Sequence, residues 1–172
     1  MVEKASSTFC PPLPDMRKFL LSAKRDVVVV QDILVESRVS GRPFTEVAKE
    51  IFKNSSDGIT IDGNPVKNDK EDDWERSSSN EWRLEGIKKG DQEEGLIIAL
   101  FNKNEPLLAS FYTPNGNWYI ASRSYGVFKN GVKLEDRASA VSELSNFVKP
   151  GGIAKGLIPF FAGSRLNGRG KS

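Results

Sequence analysis

Apolar residues in the middle of the chain are grouped into short runs separated by polar turns. Residues 96–101 are apolar throughout, and runs of this kind with tight turns between them are typical of an antiparallel meander of strands. Because residues 96–100 offer apolar side chains to both faces, this strand is expected to lie inside the sheet under helices. The predicted strands of the meander are 96–101, 107–112, 118–122 and 127–128, with a hairpin turn at Asn130-Gly131.

Helical spacing of apolar residues occurs on both sides of this meander. A first helix is predicted from Asp15, a capping residue, to about Leu34, although the run Val27–Val30 favours a strand by propensity. The apolar stripe that continues through Ile33 favours the helix over the strand. Further helices are predicted over Phe44–Lys53 and Ala138–Phe147, and residues 153–162 form an apolar segment.

The region between the helices and the meander is more polar. Ile59–Ile61 is predicted to be a short strand that ends at the turn Asp62-Gly63. Residues Asn68–Glu81 are almost wholly polar, which predicts a solvated loop. A second solvated loop is predicted just before the buried strand, and it carries the acidic residues Asp91, Glu93 and Glu94.

These elements together predict an α+β fold, with helices packed on an antiparallel sheet. The domain is expected to span residues 15–162, after an irregular N-terminal arm of residues 1–14 and before a basic, glycine-rich tail of residues 163–172. Aromatic residues cluster in the meander, where they are expected to fill the sheet core rather than to form a stacking platform for nucleotide bases.

Composition narrows the chemistry that this domain can perform. The chain has 25 Lys and Arg against 23 Asp and Glu, and a net charge of +2 does not favour nucleic acid as a partner. It has no histidine, so any metal site must use carboxylates, which suit Mg²⁺ or Ca²⁺. Cys10 is the only cysteine, and no signal-peptide pattern or membrane-length apolar run is present, so a cytoplasmic location is expected.

The meander also carries short motifs in a fixed order. Trp82-Arg83-Leu84-Glu85-Gly86 precedes the buried strand, and Gly126-Val127-Phe128-Lys129-Asn130-Gly131 closes the meander. This order resembles the inositol-monophosphatase superfamily, whose pattern runs from Trp-x-x-Asp-Pro-Leu-Asp-Gly-Thr to Gly-Ala-Phe-x-Asn-Gly-x-x-Leu. The resemblance covers about Phe44 to Leu134 and implies the N-terminal lobe of that fold, with most of the second lobe absent.

The resemblance implies a Mg²⁺-dependent phosphatase site, but one that has lost ligands. Members of the family hold their metals with several carboxylates, and the first signature aspartate falls on Glu85 in this chain. The second falls near Lys88, whose positive charge would repel a metal ion. The candidate catalytic residues that remain are Glu85 and Asp69, and the candidate metal ligands are Glu71, Glu85 and Asp91.

Three functional interpretations stay open at this point. The first is a degenerate, non-catalytic pseudoenzyme that binds a phosphorylated ligand, through Lys88 and Lys89, or a protein partner. The second is a Mg²⁺-dependent phosphomonoesterase acting on inositol phosphate or a 3'-phosphonucleotide, using Glu85 with the neighbouring acids or completed by a second subunit. The third is association with nucleic acid through the basic C-terminal tail.

Overall fold

The computed structural model of the chain describes residues 24–53, 55–66, 79–123 and 126–163. The helices in this part are α1 (Lys24–Ser40), α2 (Phe44–Phe52), α3 (Ala138–Ser145) and α4 (Ala154–Ala162). The strands are β1 (Gly58–Ile61), β2 (Asn64–Pro65), β3 (Asn80–Lys89), β4 (Gln92–Asn102), β5 (Glu105–Tyr112), β6 (Trp118–Ser122), β7 (Gly126–Lys129) and β8 (Val132–Lys133).

The strands form one mixed sheet in the order β2-β1-β3-β4-β5-β6-β7-β8. From β3 to β8 each strand pairs antiparallel with the next, which confirms the predicted meander. β1 pairs antiparallel with β2 but parallel with β3, so the sheet is not wholly antiparallel. β2 is antiparallel to β1 and so runs back toward the start of β1. β3 begins beside that start, where Glu81 pairs with Gly58, and therefore runs parallel to β1.

β3 is the longest strand that the sequence analysis missed, and the two-residue β2 was not predicted either. The predicted loop from Asn68 reached Glu81, but β3 already begins at Asn80 and continues to Lys89. The second predicted loop is wrong as well, because Asp91 lies in a tight turn and Glu93 is in β4. Main-chain pairing extends this hairpin beyond the core, where strands need no apolar side chains.

Both faces of the sheet are covered by helices. One hydrophobic core lies under α1 and α2 and the other under α3 and α4. Alternate residues of β4 point into the two cores, with Ile98 in the first and Ile97 in the second. The prediction that this strand is buried on both faces is therefore confirmed.

The helix predictions are confirmed where the structure describes them. Val27 and Val30 are buried in α1, so packing of one helical stripe outweighs the strand propensity of the valine run. The predicted start of that helix at Asp15 lies outside the described residues, as do the arm 1–14 and nearly all of the tail. α2 and α3 form as predicted, with α3 ending at Ser145, and the apolar segment forms α4.

The described aromatic residues of the meander lie in the cores, as predicted. Trp82, Trp118 and Phe111 are fully buried, and the ring of Phe111 stacks on that of Tyr119 at a centroid distance of 4.6 Å. Rings enclosed in this way fill the core and do not offer a surface for bases. Among the described residues, no helix has both the length and the apolar character that crossing a membrane requires.

Candidate functional site

Glu85 is the predicted site residue that the fold places most distinctively. It lies in β3, pairs in register with Ile97, and so faces the layer formed by α3 and α4. Only 4% of its surface is exposed. A buried carboxylate requires hydrogen-bond or ionic partners, since its desolvation is costly.

Both carboxylate oxygens of Glu85 have such partners. Oε1 accepts a hydrogen bond from the backbone N–H of Ile153 at 2.8 Å. Oε2 lies 3.7 Å from Nζ of Lys149, whose side chain is half exposed. Ile153 is the capping residue of α4 and has no side chain that can accept a hydrogen bond. Glu85 therefore places a negative charge at the N-terminus of α4, where the helix dipole favours it.

Gly152 makes this close approach possible. A Cβ atom at this position would lie 2.7 Å from Oε1 and 3.0 Å from Oε2 of Glu85. Real Cβ atoms do not approach oxygen so closely, so a side chain here would displace the carboxylate. The contact between Glu85 and the loop before α4 is thus tightly packed.

A second carboxylate, Glu93, performs a similar task on the opposite face of the sheet. Its two oxygens accept hydrogen bonds from the backbone N–H and the hydroxyl of Thr45, each at 2.9 Å. Thr45 lies in the first turn of α2, and the capping residue of that helix, Pro43, offers no side-chain acceptor. A Cβ on Gly86 would lie 2.3 Å from Oε2 of Glu93, so a side chain here would displace this carboxylate too.

The sequence analysis missed both of these structural roles. A signal was present, because α2 and α4 begin at Pro43 and Ile153, neither of which can cap a helix with its side chain. Helices that start in this way need an acceptor from elsewhere in the chain. The sequence does not indicate which of its carboxylates supplies that acceptor.

The other predicted site residues do not gather around Glu85. Asp69 and Glu71 lie outside the described residues, so their roles stay predictions. Asp91 is exposed in the turn that joins β3 to β4, six residues after Glu85 in the chain. Strand geometry places that turn roughly 17 Å from Glu85.

Lys88 and Lys89 lie near the same turn. Both are exposed, and as neighbours in β3 they point to opposite faces of the hairpin. They therefore do not converge on a single phosphate, although either can contact one alone. Their assignment as ligand-binding residues stays a prediction.

The described residues do not fit a magnesium site. A Mg²⁺ ion needs near-octahedral oxygen ligands, with more than one carboxylate nearby when phosphate is also bound. Across the four described ranges, no three acidic side chains form a group that could hold a metal ion. Glu85 is engaged by Ile153 and Lys149, and Glu93 by Thr45.

The described residues define an α+β domain in which one mixed sheet lies between two helix layers. No protein-family model and no curated protein matches the chain. Part of its backbone is similar to solved structures of the inositol-monophosphatase family, and the resemblance found in the sequence is confirmed to this extent.

Three of these structures illustrate the similarity. An inositol monophosphatase–fructose 1,6-bisphosphatase is 18% identical over 53% of this chain and 36% of its own, with a TM-score of 0.42. A staphylococcal inositol monophosphatase with bound products is 21% identical over 54% of this chain and 36% of its own, with a TM-score of 0.39. An inositol monophosphatase/NADP phosphatase with NADP and Ca²⁺ is 20% identical, covering 69% and 50%, with a TM-score of 0.40. This chain thus spans between about a third and a half of their length.

Proposed function

We propose that this chain is a non-catalytic binding domain built on a phosphatase-like fold. The observation that supports this function is the environment of Glu85. The carboxylate that the family resemblance assigns to a metal accepts the N–H of Ile153 and lies beside the ammonium of Lys149. In this proposal Glu85 fixes α4 to the sheet and does not bind a metal.

The electrostatics of this position support the proposal. A metal ion at Glu85 would have to displace the N–H of Ile153 or approach the positive charge of Lys149. Unit charges about 4 Å apart interact by several kcal/mol at intermediate dielectric, so Lys149 opposes a divalent cation there. Only 4% of Glu85 is exposed, which leaves little access for water or a substrate.

Two classes of ligand are proposed for this domain, a phosphorylated small molecule and a protein partner. A similar structure holds NADP and Ca²⁺, which suggests a phosphorylated ligand contacted by Lys88 or Lys89. These two lysines point apart, so the geometry favours a protein partner over a small phosphorylated molecule. Calorimetric titration with inositol 1-phosphate and with NADP tests the small-molecule class directly.

Phosphate release tests the absence of catalysis. The full chain is incubated with inositol 1-phosphate or a 3'-phosphonucleotide, with and without Mg²⁺, and inorganic phosphate is measured. We expect no Mg²⁺-dependent release from the wild type. The Glu85→Gln variant is compared with Glu94→Gln, a matched change of an exposed acid in β4.

The opposite outcome would establish the phosphomonoesterase interpretation. It would consist of Mg²⁺-dependent release by the wild type and by Glu94→Gln, with loss of release in Glu85→Gln. Circular dichroism at the assay temperature shows whether Glu85→Gln is folded. Loss of activity in a folded variant would then identify Glu85 as a metal ligand, contrary to the proposal.

A further inference from the structure

A groove lies between α1 and α2 on the outer side of their layer, away from the sheet. It is a largely open depression with a volume of about 410 Å³. The residues that line it are Asp32, Val35, Glu36, Val47, Glu50 and Ile51. None of these residues belongs to the site around Glu85.

The centre of the groove is apolar and partly open to solvent. Val35 of α1 is 43% exposed and Ile51 of α2 is 39% exposed, although both are large aliphatic residues. Val39 lies one turn beyond Val35 on the same face of α1 and is 78% exposed. An apolar stripe that continues along a helix in this way is typical of a surface that another molecule covers.

The rim of the groove is acidic. Asp32 and Glu36 are four residues apart on α1, and like charges at this spacing destabilise an isolated helix. Glu46 and Glu50 have the same spacing on α2, where Arg42 pairs with Glu50 at 2.9 Å and also attracts Glu46 and Glu36. The charged residues that line the groove itself are Asp32, Glu36 and Glu50, all of them acidic, so the rim favours a cationic ligand.

We propose that this groove docks a positively charged amphipathic helix of a partner protein. Apolar side chains at i, i+3 and i+4 of that helix would lie on Val35 and Ile51, and its lysines or arginines would face Asp32 and Glu36. Acidic rims repel nucleic-acid phosphates and anionic lipid headgroups, so neither nucleic acid nor an anionic membrane matches this surface.

This inference rests on the proposed binding role and names its surface and partner class. It does not depend on Glu85, which faces the opposite layer. Mg²⁺-dependent phosphate release would refute the non-catalytic proposal and leave the groove untouched. Failure of the groove experiment below would refute the docking proposal and leave the interpretation of Glu85 untouched.

The test uses a fluorescent synthetic helix with leucine at i, i+3, i+4 and i+7 and lysine or glutamine elsewhere. A peptide of the same composition with a scrambled order is the control for pattern. Fluorescence anisotropy with the full chain should show binding of the patterned peptide that weakens as salt is added. Equal binding of both peptides, or none of either, overturns the proposal.

Paired variants of the chain locate the binding. Val35→Gln and Glu36→Lys should each weaken binding of the patterned peptide about tenfold or more, the effect of losing one well-placed contact. The matched controls are Val132→Gln on the exposed edge strand β8 and Glu94→Lys on β4, which should bind as the wild type does. Equal weakening in the controls overturns the proposal.

The chain's own basic tail is the competing occupant. It continues from Gly163, at the end of α4, and α4 lies on the other face of the sheet from the groove. Arg165→Glu combined with Arg169→Glu in the full chain should leave the peptide affinity unchanged. A rise in affinity would show that the tail occupies the groove, and the partner-helix proposal would then be wrong.

Discussion

The two helix layers are attached to the sheet by the same kind of contact, in which a carboxylate on a strand accepts a backbone N–H at the start of a helix. The surroundings of the two carboxylates differ. Glu93 of β4 accepts the N–H of Thr45 at the start of α2, and Glu85 of β3 accepts the N–H of Ile153 at the start of α4. Glu93 is half-buried and has a hydroxyl as its second partner, whereas Glu85 is buried and has an ammonium.

The difference shows that position in a motif does not determine what a carboxylate does. Glu93 lies outside the signature that resembles the phosphatases, yet it joins a helix to the sheet as Glu85 does. In both layers the helix begins at a residue without a capping side chain, and this deficit creates the need for an acid. The burial of each acid then determines how much its loss costs.

The largest expected effect on stability comes from substituting the acid that attaches each helix layer. Glu85→Ala should lower the free energy of unfolding by about 2–3 kcal/mol, because it removes a buried carboxylate and leaves the part-buried N–H of Ile153 without an acceptor. Glu93→Ala should cost about 1 kcal/mol, as for an ordinary helix cap. Urea denaturation followed by circular dichroism measures both, and equal losses would remove the distinction between the layers.

A smaller effect is expected from the glycine that admits Glu85. Gly152→Ala should lower stability by about 1–2 kcal/mol, because its Cβ would lie 2.7 Å from Oε1 of Glu85. Gly156→Ala is the control, since nothing lies near that Cβ, and this change within α4 should stabilise the helix by about 0.5–1 kcal/mol.

A double-mutant cycle sharpens the Gly152 result. In a Glu85→Ala background the carboxylate is gone, so Gly152→Ala should cost less than it does in the wild type. If the cost is unchanged, the glycine acts through its own backbone and not by making room for Glu85. Thermal or urea unfolding of the four proteins is sufficient for the cycle.

The smallest effect is expected at the exposed ion pair of the α1/α2 layer. The hydrogen bond from Arg42 holds the pKa of Glu50 below its ordinary value of 4.5. The folded state therefore binds protons less readily than the unfolded state, and the stabilisation by this pair is present above pH 4.5 and lost as pH falls through the lowered pKa. In Glu50→Gln this part of the acid dependence should be absent, as measured by urea unfolding across that pH range.

Much of the fold was predictable because it depends on local patterns. Apolar runs mark the strands, and tight turns such as Asn130-Gly131 join one strand to the next. Each strand of the meander then pairs with the strand that follows it in the chain. β3 was missed although Trp82 and Leu84 alternate with polar residues, because this alternation ends at Gly86 and Ile87. Glu85 shares its face of the strand with Ile87, which is buried in the core under α3 and α4. A charge is tolerated there only because its partners come from a distant part of the chain.

The candidate site was less predictable for the same reason. The motif indicated Glu85, but not that Lys149 and Ile153 would surround it. The groove residues Val35 and Ile51 belong to helices that were predicted, yet helical periodicity alone does not show which apolar positions remain open. Such information depends on how separate elements pack together.

The hydrogen bond between Glu85 and Ile153 joins residues that are 68 positions apart in the chain. The hairpins of the meander lie between them and form from neighbouring residues, whereas this bond must close one long loop around all of them. Docking of α4 is therefore expected to be a late step in folding. During synthesis, β3 leaves the ribosome well before the segment that neutralises its buried acid, so the α3/α4 face of the sheet stays uncovered until α4 has been synthesised.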